Sequence, residues 1–259
     1  MRYKITLSYD GTGLSGWQIQ NNANSVQGEL NHALETLLGS PAPTTGAGRT
    51  DSGVNAVNYV AHFDASGDLS GFSAEQLCYK LNAILPKTIT VHSVQPAAED
   101  FHARFGAVER EYCYFVHRKK DPFMNGHSFR CPYPLDLEKM NRAAAYLIGK
   151  QDFSCFEKTG GNNKTSICDI TSARWETYTP SLVRMTAYPH EEGDYLVFRI
   201  SADRFLRNMV RAIVGTLIDV GRGKHEPEWV LELIRKGSRS DSGESVPGNA
   251  LFFCGARYE

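Results

Sequence analysis

The first hundred residues switch between two hydrophobic periods in the order strand, helix, strand, strand, helix, strand, and that order constrains the fold more than any other property of the chain. Tyr3 to Tyr9 alternates apolar and polar residues, the period of a half-buried strand. Ser25 then stands as an N-cap before Val26, Leu30, Leu34 and Leu37, a stripe at helical spacing. A short strand leads into a glycine-rich loop, and Val54 to Phe63 reads as the strand leaving it. Ala74 to Ile84 is helical and stops at Leu85-Pro86, and Thr88 to Val94 is β-branched and strand-like. The pattern is a split β-α-β arrangement, one sheet with helices on one face, in which the glycine loop joins the two middle strands.

From Phe101 the chain continues without an obvious linker. Arg110 to Val116 is an aromatic-rich strand, Asp121-Pro122 to Pro134 a loop, and Leu135 to Leu147 a helix. Strands are expected near Ser166–Trp175, Leu182–Ala187 and Tyr195–Ile200, helices over Phe205–Val220 and Glu228–Arg235, and a final strand over Leu251–Tyr258. The expected fold class is α/β (α+β). Two lobes, 1–100 and 101–259, each form a largely antiparallel sheet with helices on one face and meet at a central active-site cleft.

Of the 259 residues, 41% are hydrophobic and 22% charged, the balance of a soluble globular chain. The net charge of −1 means that nucleic-acid binding needs a local patch. The six cysteines form no Cys-x-x-Cys pair and have no zinc-spaced histidine nearby, so they read as reduced, mostly buried thiols of a cytoplasmic protein. No signal-peptide h-region and no membrane-length apolar stretch occurs.

Chemistry concentrates in Gly46-Ala47-Gly48-Arg49-Thr50-Asp51-Ser52-Gly53-Val54-Asn55-Ala56. A carboxylate and a guanidinium stand two residues apart between glycines that permit tight or left-handed backbone. Such a loop is a reactive site or a hairpin turn bearing an exposed ion pair. Gly11-Thr12-Gly13-Leu14-Ser15-Gly16 matches G-x-G-x-x-G, but the polar stretch Trp17 to Asn24 intervenes where a phosphate-binding helix must open, so the match is fortuitous and no nucleotide cofactor is expected. Arg204, Arg207 and Arg211 fall at i, i+3 and i+7, one face of the expected helix, with Gly215 on the same stripe where a backbone or ligand can approach. Residues 101–130 carry six Lys/Arg against three acidic residues, interleaved with Tyr112, Tyr114, Phe115, Phe123 and Phe129, which reads either as an RNA-contacting surface or as a sheet core. The eight histidines are scattered, without metal spacing.

Taken in order, several segments resemble the TruA family of tRNA pseudouridine synthases. They are Tyr9-Asp10-Gly11, Gly16-Trp17-Gln18, Ser25-Val26-Gln27, Ala47 to Val54, Leu81-Asn82 with Leu85-Pro86, and Asp100 to Arg104. The series continues with Arg110 to Tyr114, Gly149 with Asp152-Phe153, and Phe205 with Met209-Val210-Arg211 and Ile213-Val214-Gly215. The resemblance spans nearly the whole chain. It implies the pseudouridine synthase fold and a cofactor-free, metal-free homodimer that isomerises uridine to pseudouridine at positions 38, 39 and 40 of the tRNA anticodon stem-loop. By the same resemblance Asp51 is the essential aspartate and Tyr112 the tyrosine against the target base. Arg211 is the arginine paired with that aspartate, and Arg49 the arginine that assists base flipping.

These residue types suit the chemistry, since a carboxylate beside a sugar can act as nucleophile or base and a flipped base needs an aromatic face. Leu14, Cys168 and Asn249 to Phe253 depart from the family pattern. Two other readings use the same residues: a non-catalytic RNA-binding protein, which has no need of Asp51, and an aspartate-dependent nucleoside hydrolase, which releases free uracil.

Overall fold

Alternation along Arg2–Tyr9 gives strand β1, in which Tyr3, Ile5, Leu7 and Tyr9 are all buried. Helix α1 (Val26–Leu38) starts where the Ser25 hydroxyl accepts the Gly28 N–H, and ends at Gly39 in left-handed backbone (φ +71°). The short strand β2 (Thr45–Gly46) and strand β3 (Asn55–Asp64) flank the glycine loop and pair antiparallel, Thr45 opposite His62. Helix α2 (Ala74–Ile84) carries a capping box between Ser73 and Gln76, and strand β4 (Ile89–Pro96) follows it. β1 pairs antiparallel with both β3 and β4, which is the strand order of the split β-α-β expectation.

The computed structural model describes residues 1–65, 69–158, 160 and 164–259. Strand β5 (Ala107–His117) contains the boundary between two compact units, which falls after Arg110. The second unit is Glu111–Leu251. It comprises most of β5, the short strand β6 (Phe129–Arg130), helix α3 (Leu137–Ala145), and strands β7 (Gly149–Asp152) and β8 (Ile167–Thr177). Helix α4 (Ser181–Thr186), strand β9 (Tyr195–Ala202), and helices α5 (Met209–Gly221) and α6 (Trp229–Lys236) complete it. Its strands are ordered β5-β9-β8-β7, with β7–β8 and β8–β9 antiparallel. Helix α5 is buried over most of its length and packs against α3. Each unit is thus a largely antiparallel sheet with helices, an α+β architecture. Among the described residues no helix is long and apolar enough to cross a membrane.

The units differ from 1–100 and 101–259 in two respects. The first unit extends to Arg110, and it also contains Phe252–Glu259, nearly all of strand β10 (Leu251–Tyr258). β10 lies parallel to β3, with Phe252 opposite Asn55, and the Tyr258 hydroxyl donates to the Ala103 carbonyl at 2.7 Å. Pairing, not sequence proximity, therefore assigns that strand to the first unit.

Two element assignments are corrected. Residues 182–187, expected as a strand, belong to α4. Pro180 leads the chain into it, and Ala187 in left-handed backbone (φ +52°) ends it after one and a half turns. Helix α5 begins at Met209, not Phe205, because Asn208 adopts left-handed backbone (φ +64°), which a continuous helix forbids. Arg204 and Arg207 therefore lie in the lead-in segment, and the expected arginine face reduces to Arg211.

Candidate active site

Asp51 sits in a tight turn whose closing bond runs from the Val54 N–H to the Asp51 carbonyl at 3.2 Å. Gly53 occupies the third position of that turn at φ +77°, where a side chain would be strained. Exposure alternates along the approach: Arg49 is exposed, Thr50 buried and Asp51 half-buried. Arg49 is thus open to solvent and Asp51 partly so, while the Thr50 hydroxyl meets the buried Tyr9 hydroxyl at 2.9 Å.

A second loop, Gly11 to Trp17, is pressed against this turn. The Trp17 N–H donates to the Thr50 carbonyl (3.3 Å), and the Gly53 N–H and Ser52 Oγ both donate to the Leu14 carbonyl (3.2 and 3.3 Å). The Gly11 N–H donates to the buried Asn55 Oδ1 at 2.8 Å. A Cβ on Gly16 would overlap the Thr50 carbonyl, and one on Gly11 the Val54 carbonyl. Gly11 and Gly16 of the fortuitous G-x-G-x-x-G match are therefore spacers that let one backbone touch another, whereas Gly13 faces open space in left-handed backbone (φ +75°). Beneath them Trp17 and Tyr59 pack as tilted rings 4.3 Å apart between centroids, with Tyr9 5.5 Å from Tyr59. The Tyr59 hydroxyl donates to the Gly48 carbonyl, and Arg110 reaches the Ala47 carbonyl through Nε and Nη2 (3.4 and 3.3 Å). The family departure at Leu14 is a buried side chain whose carbonyl does the holding.

In the second unit, Tyr112 is buried on β5, and its ring meets Phe205 edge-on at 5.1 Å. Arg211 lies in the first turn of α5. Its Nε donates to the Val246 carbonyl at 2.7 Å, and its own carbonyl accepts the Val246 N–H at 3.3 Å. Tyr114 donates its hydroxyl to the Pro247 carbonyl at 3.0 Å; burial pushes that phenol far above its ordinary range, only partly offset by the positive charge of Arg211. Gly215 does admit a neighbour, and it is backbone: a Cβ there would overlap the Glu244 carbonyl. No sequence signal marked residues 239–247, although Val246 bonds Arg211 and Gly243 bonds Thr216 one turn further along α5.

The basic segment does not form one continuous cationic face. Arg110 spends its guanidinium on backbone carbonyls, Lys119 is paired with Glu191 (2.9 Å) and Asp194 (3.2 Å), and Tyr112 and Tyr114 belong to the core. Arg104, Lys120 and Arg130 remain exposed. Cys168, where the resemblance led to the expectation of a basic residue, is fully buried on β8, and burial pushes its thiol up to about 12. It is a core residue, unsuited to RNA contact.

A sequence profile described as tRNA pseudouridine synthase matches residues 143–259. The chain is also similar to proteins named tRNA pseudouridine synthase A from three bacteria. The Bacteroides fragilis protein is 44% identical over 99% of this chain and 96% of its own length. Those of Parabacteroides distasonis and Bacteroides thetaiotaomicron are each 45% identical over 99% of this chain and over 96% and 90% of their own lengths.

Proposed function

This chain belongs to the tRNA pseudouridine synthase A family, and from that premise we propose that it converts uridine to pseudouridine at positions 38, 39 and 40 of the tRNA anticodon stem-loop, with Asp51 as the reacting carboxylate. The enzyme is an isomerase of uridine in tRNA. Its reaction breaks the N1–C1′ bond, turns the uracil and joins C5 to C1′, with the C5 proton lost and a proton gained at N1. Atoms balance without water or redox partner, so the residues need supply only a carboxylate, an aromatic face and a cation.

The observation that carries the reading is the Asp51 turn. Its backbone is fixed by bonds to Leu14, Trp17 and the buried Thr50–Tyr9 pair, while Arg49 is exposed and Asp51 half-buried. A group held in place by its surroundings before substrate arrives loses little entropy at the transition state. Asp51 attacks the sugar or the base, or removes a sugar proton. Tyr112 packs against the extruded uracil, Arg49 assists flipping, and Arg211 provides the charge that keeps the carboxylate ionised and oriented. The enzyme works as a cytoplasmic homodimer without metal or nucleotide cofactor.

The test is Asp51→Asn on unmodified tRNA, with pseudouridine and free uracil both quantified. The amide keeps the shape and discards the charge, so tRNA affinity should stay within about threefold while product formation falls by about a thousandfold or more. Substantial residual activity removes Asp51 from the mechanism, and released uracil turns the reading toward hydrolysis. Sedimentation of a fully active monomer would remove the homodimer.

A further inference from the structure

Segment 239–246 closes over the first turns of α5, and the geometry points to a role for Arg239: we propose that it is a positioning residue that aims the Arg211 guanidinium. The inference rests on the function proposed for Arg211 and adds what holds that side chain in place.

Arg239 uses both ends of its fork on the segment that follows it. Nη1 donates to Ser242 Oγ (2.9 Å) and to the Gly243 carbonyl (3.1 Å), and Nη2 donates to Ser245 Oγ (2.7 Å). The segment is in turn fastened to α5. The Gly243 N–H donates to the buried Thr216 hydroxyl at 2.9 Å, and Ser242 Oγ donates to the Cys155 carbonyl at 2.9 Å. Three residues beyond Gly243 the chain reaches Val246, whose N–H and carbonyl take the Arg211 carbonyl and Nε in a reciprocal pair. Anchoring Nε fixes the plane of the guanidinium, and so fixes where its two Nη groups lie.

Two details show that local structure gives way to this clasp. Asn208 stands at the N-cap of α5, where its side chain would ordinarily satisfy a helix N–H, yet it makes no such bond and donates to Ser245 Oγ instead. Gly215 and Gly243 have both given up a side chain at the crossing: a Cβ on Gly243 would stand 2.7 Å from the Thr216 nitrogen, and one on Gly215 would overlap the Glu244 carbonyl. A lysine at position 239 could not do the same work, because an ammonium is a point donor and cannot span Ser245 and the Gly243 carbonyl at once.

The experiment is a double-mutant cycle on the full chain: Arg239→Ala, Arg211→Lys and both together, with single-turnover rate, tRNA affinity and Tm measured for each. Arg211→Lys keeps a cation but gives up the Nε anchor. If Arg239 acts through Arg211, Arg239→Ala alone should slow the chemical step by about 10- to 100-fold, the cost of a misplacement near 1 Å, with affinity within about threefold. In the Arg211→Lys background it should slow the step no further, although its effect on Tm persists. Arg239→Lys should recover only part of the rate.

Equal losses in both backgrounds would make Arg239 merely structural and overturn the proposal, as would a wild-type rate for Arg239→Ala. Should Arg239→Ala fail to fold, Ser245→Ala removes one acceptor of the same fork and is read by the same cycle. A wild-type rate for Arg211→Lys together with Arg211→Ala would instead overturn the role of Arg211 itself, a result distinct from failure of the clasp alone.

Discussion

The Asp51 turn and the first turn of α5 are both held by a second stretch of backbone, but with opposite chemistry. Around the Asp51 turn the described restraints are neutral: peptide N–H groups, the hydroxyls of Tyr9, Thr50 and Ser52, and the close approach that Gly11 and Gly16 permit. At Arg211 the restraint runs through a guanidinium fork and serine hydroxyls, with glycines only at the crossing of Gly215 and Gly243. A steric restraint is sensitive to volume and indifferent to salt. One built on charged donors tolerates some movement but loses its aim when a single donor is removed. The turn that bears Asp51 is therefore held by shape, and the side chain of Arg211 by hydrogen bonding.

The largest expected effect comes from breaking the steric side. Gly16→Ala adds a methyl group that overlaps the Thr50 carbonyl at a backbone angle of +86°, so stability should fall by about 2–4 kcal/mol. The Asp51 turn must move with it, and turnover should drop with Tm. Gly215→Ala, at ordinary helical angles, should cost Tm through the Glu244 carbonyl alone. Wild-type turnover in Gly16→Ala would show that Asp51 does not depend on the 11–17 loop, and the contrast would collapse.

A smaller effect sharpens the contrast. Tyr9→Phe deletes the buried hydroxyl that meets Thr50 at 2.9 Å, at about 1 kcal/mol by calorimetry. Turnover should fall several-fold with tRNA affinity unchanged, since the variant loosens the turn without touching an exposed group. Loss of affinity instead would assign Tyr9 to substrate binding.

A third effect is an acid sensitivity seated at His62 in the first unit. His62 is buried, its Nδ1 accepts the Ala103 N–H at 3.1 Å, and burial lowers its pKa from 6.5 to about 4. The folded chain keeps it neutral while the unfolded chain takes up a proton below about pH 6.5. Its contribution is therefore complete above that value, declines between pH 6.5 and about 4, and amounts to about 1–2 kcal/mol by pH 5. Denaturant titrations of wild type and His62→Gln at pH 7 and 5 should show a smaller pH effect in the variant, and parallel losses would clear His62.

What could be read in the sequence was local. The Ser25 cap, the stop at Leu85-Pro86 and the turn around Gly53 each declare themselves within a few residues, and α2 runs over the expected Ala74–Ile84. Asp51 stands out because its short loop is bounded by Gly48 and Gly53. Arg239 did not, since its partners are unremarkable serines and a carbonyl, and the Val246–Arg211 pair spans 35 positions without any periodicity. Helix α5 starts four residues after the expected Phe205, because Phe205 and Leu206 continue its apolar pattern and only the backbone angle of Asn208 breaks it. Leu182 to Ala187 contains β-branched and apolar residues in a stretch too short for period alone to separate helix from strand.

The position of β10 bears on how the molecule is made. Ribosomes release the amino end first, so every residue of Glu111–Leu251 must be synthesised between Arg110 and Phe252. Until then the stretch of β3 around Asn55 and Ala56, immediately beyond the Asp51 turn, lacks the strand that later lies along it. A nascent chain can thus form the Asp51 turn early yet keep an open sheet edge beside it, the kind of surface that chaperones recognise and that pairs with other chains. Messages cut short before Phe252 should give products that aggregate or are degraded, never a half-sized enzyme.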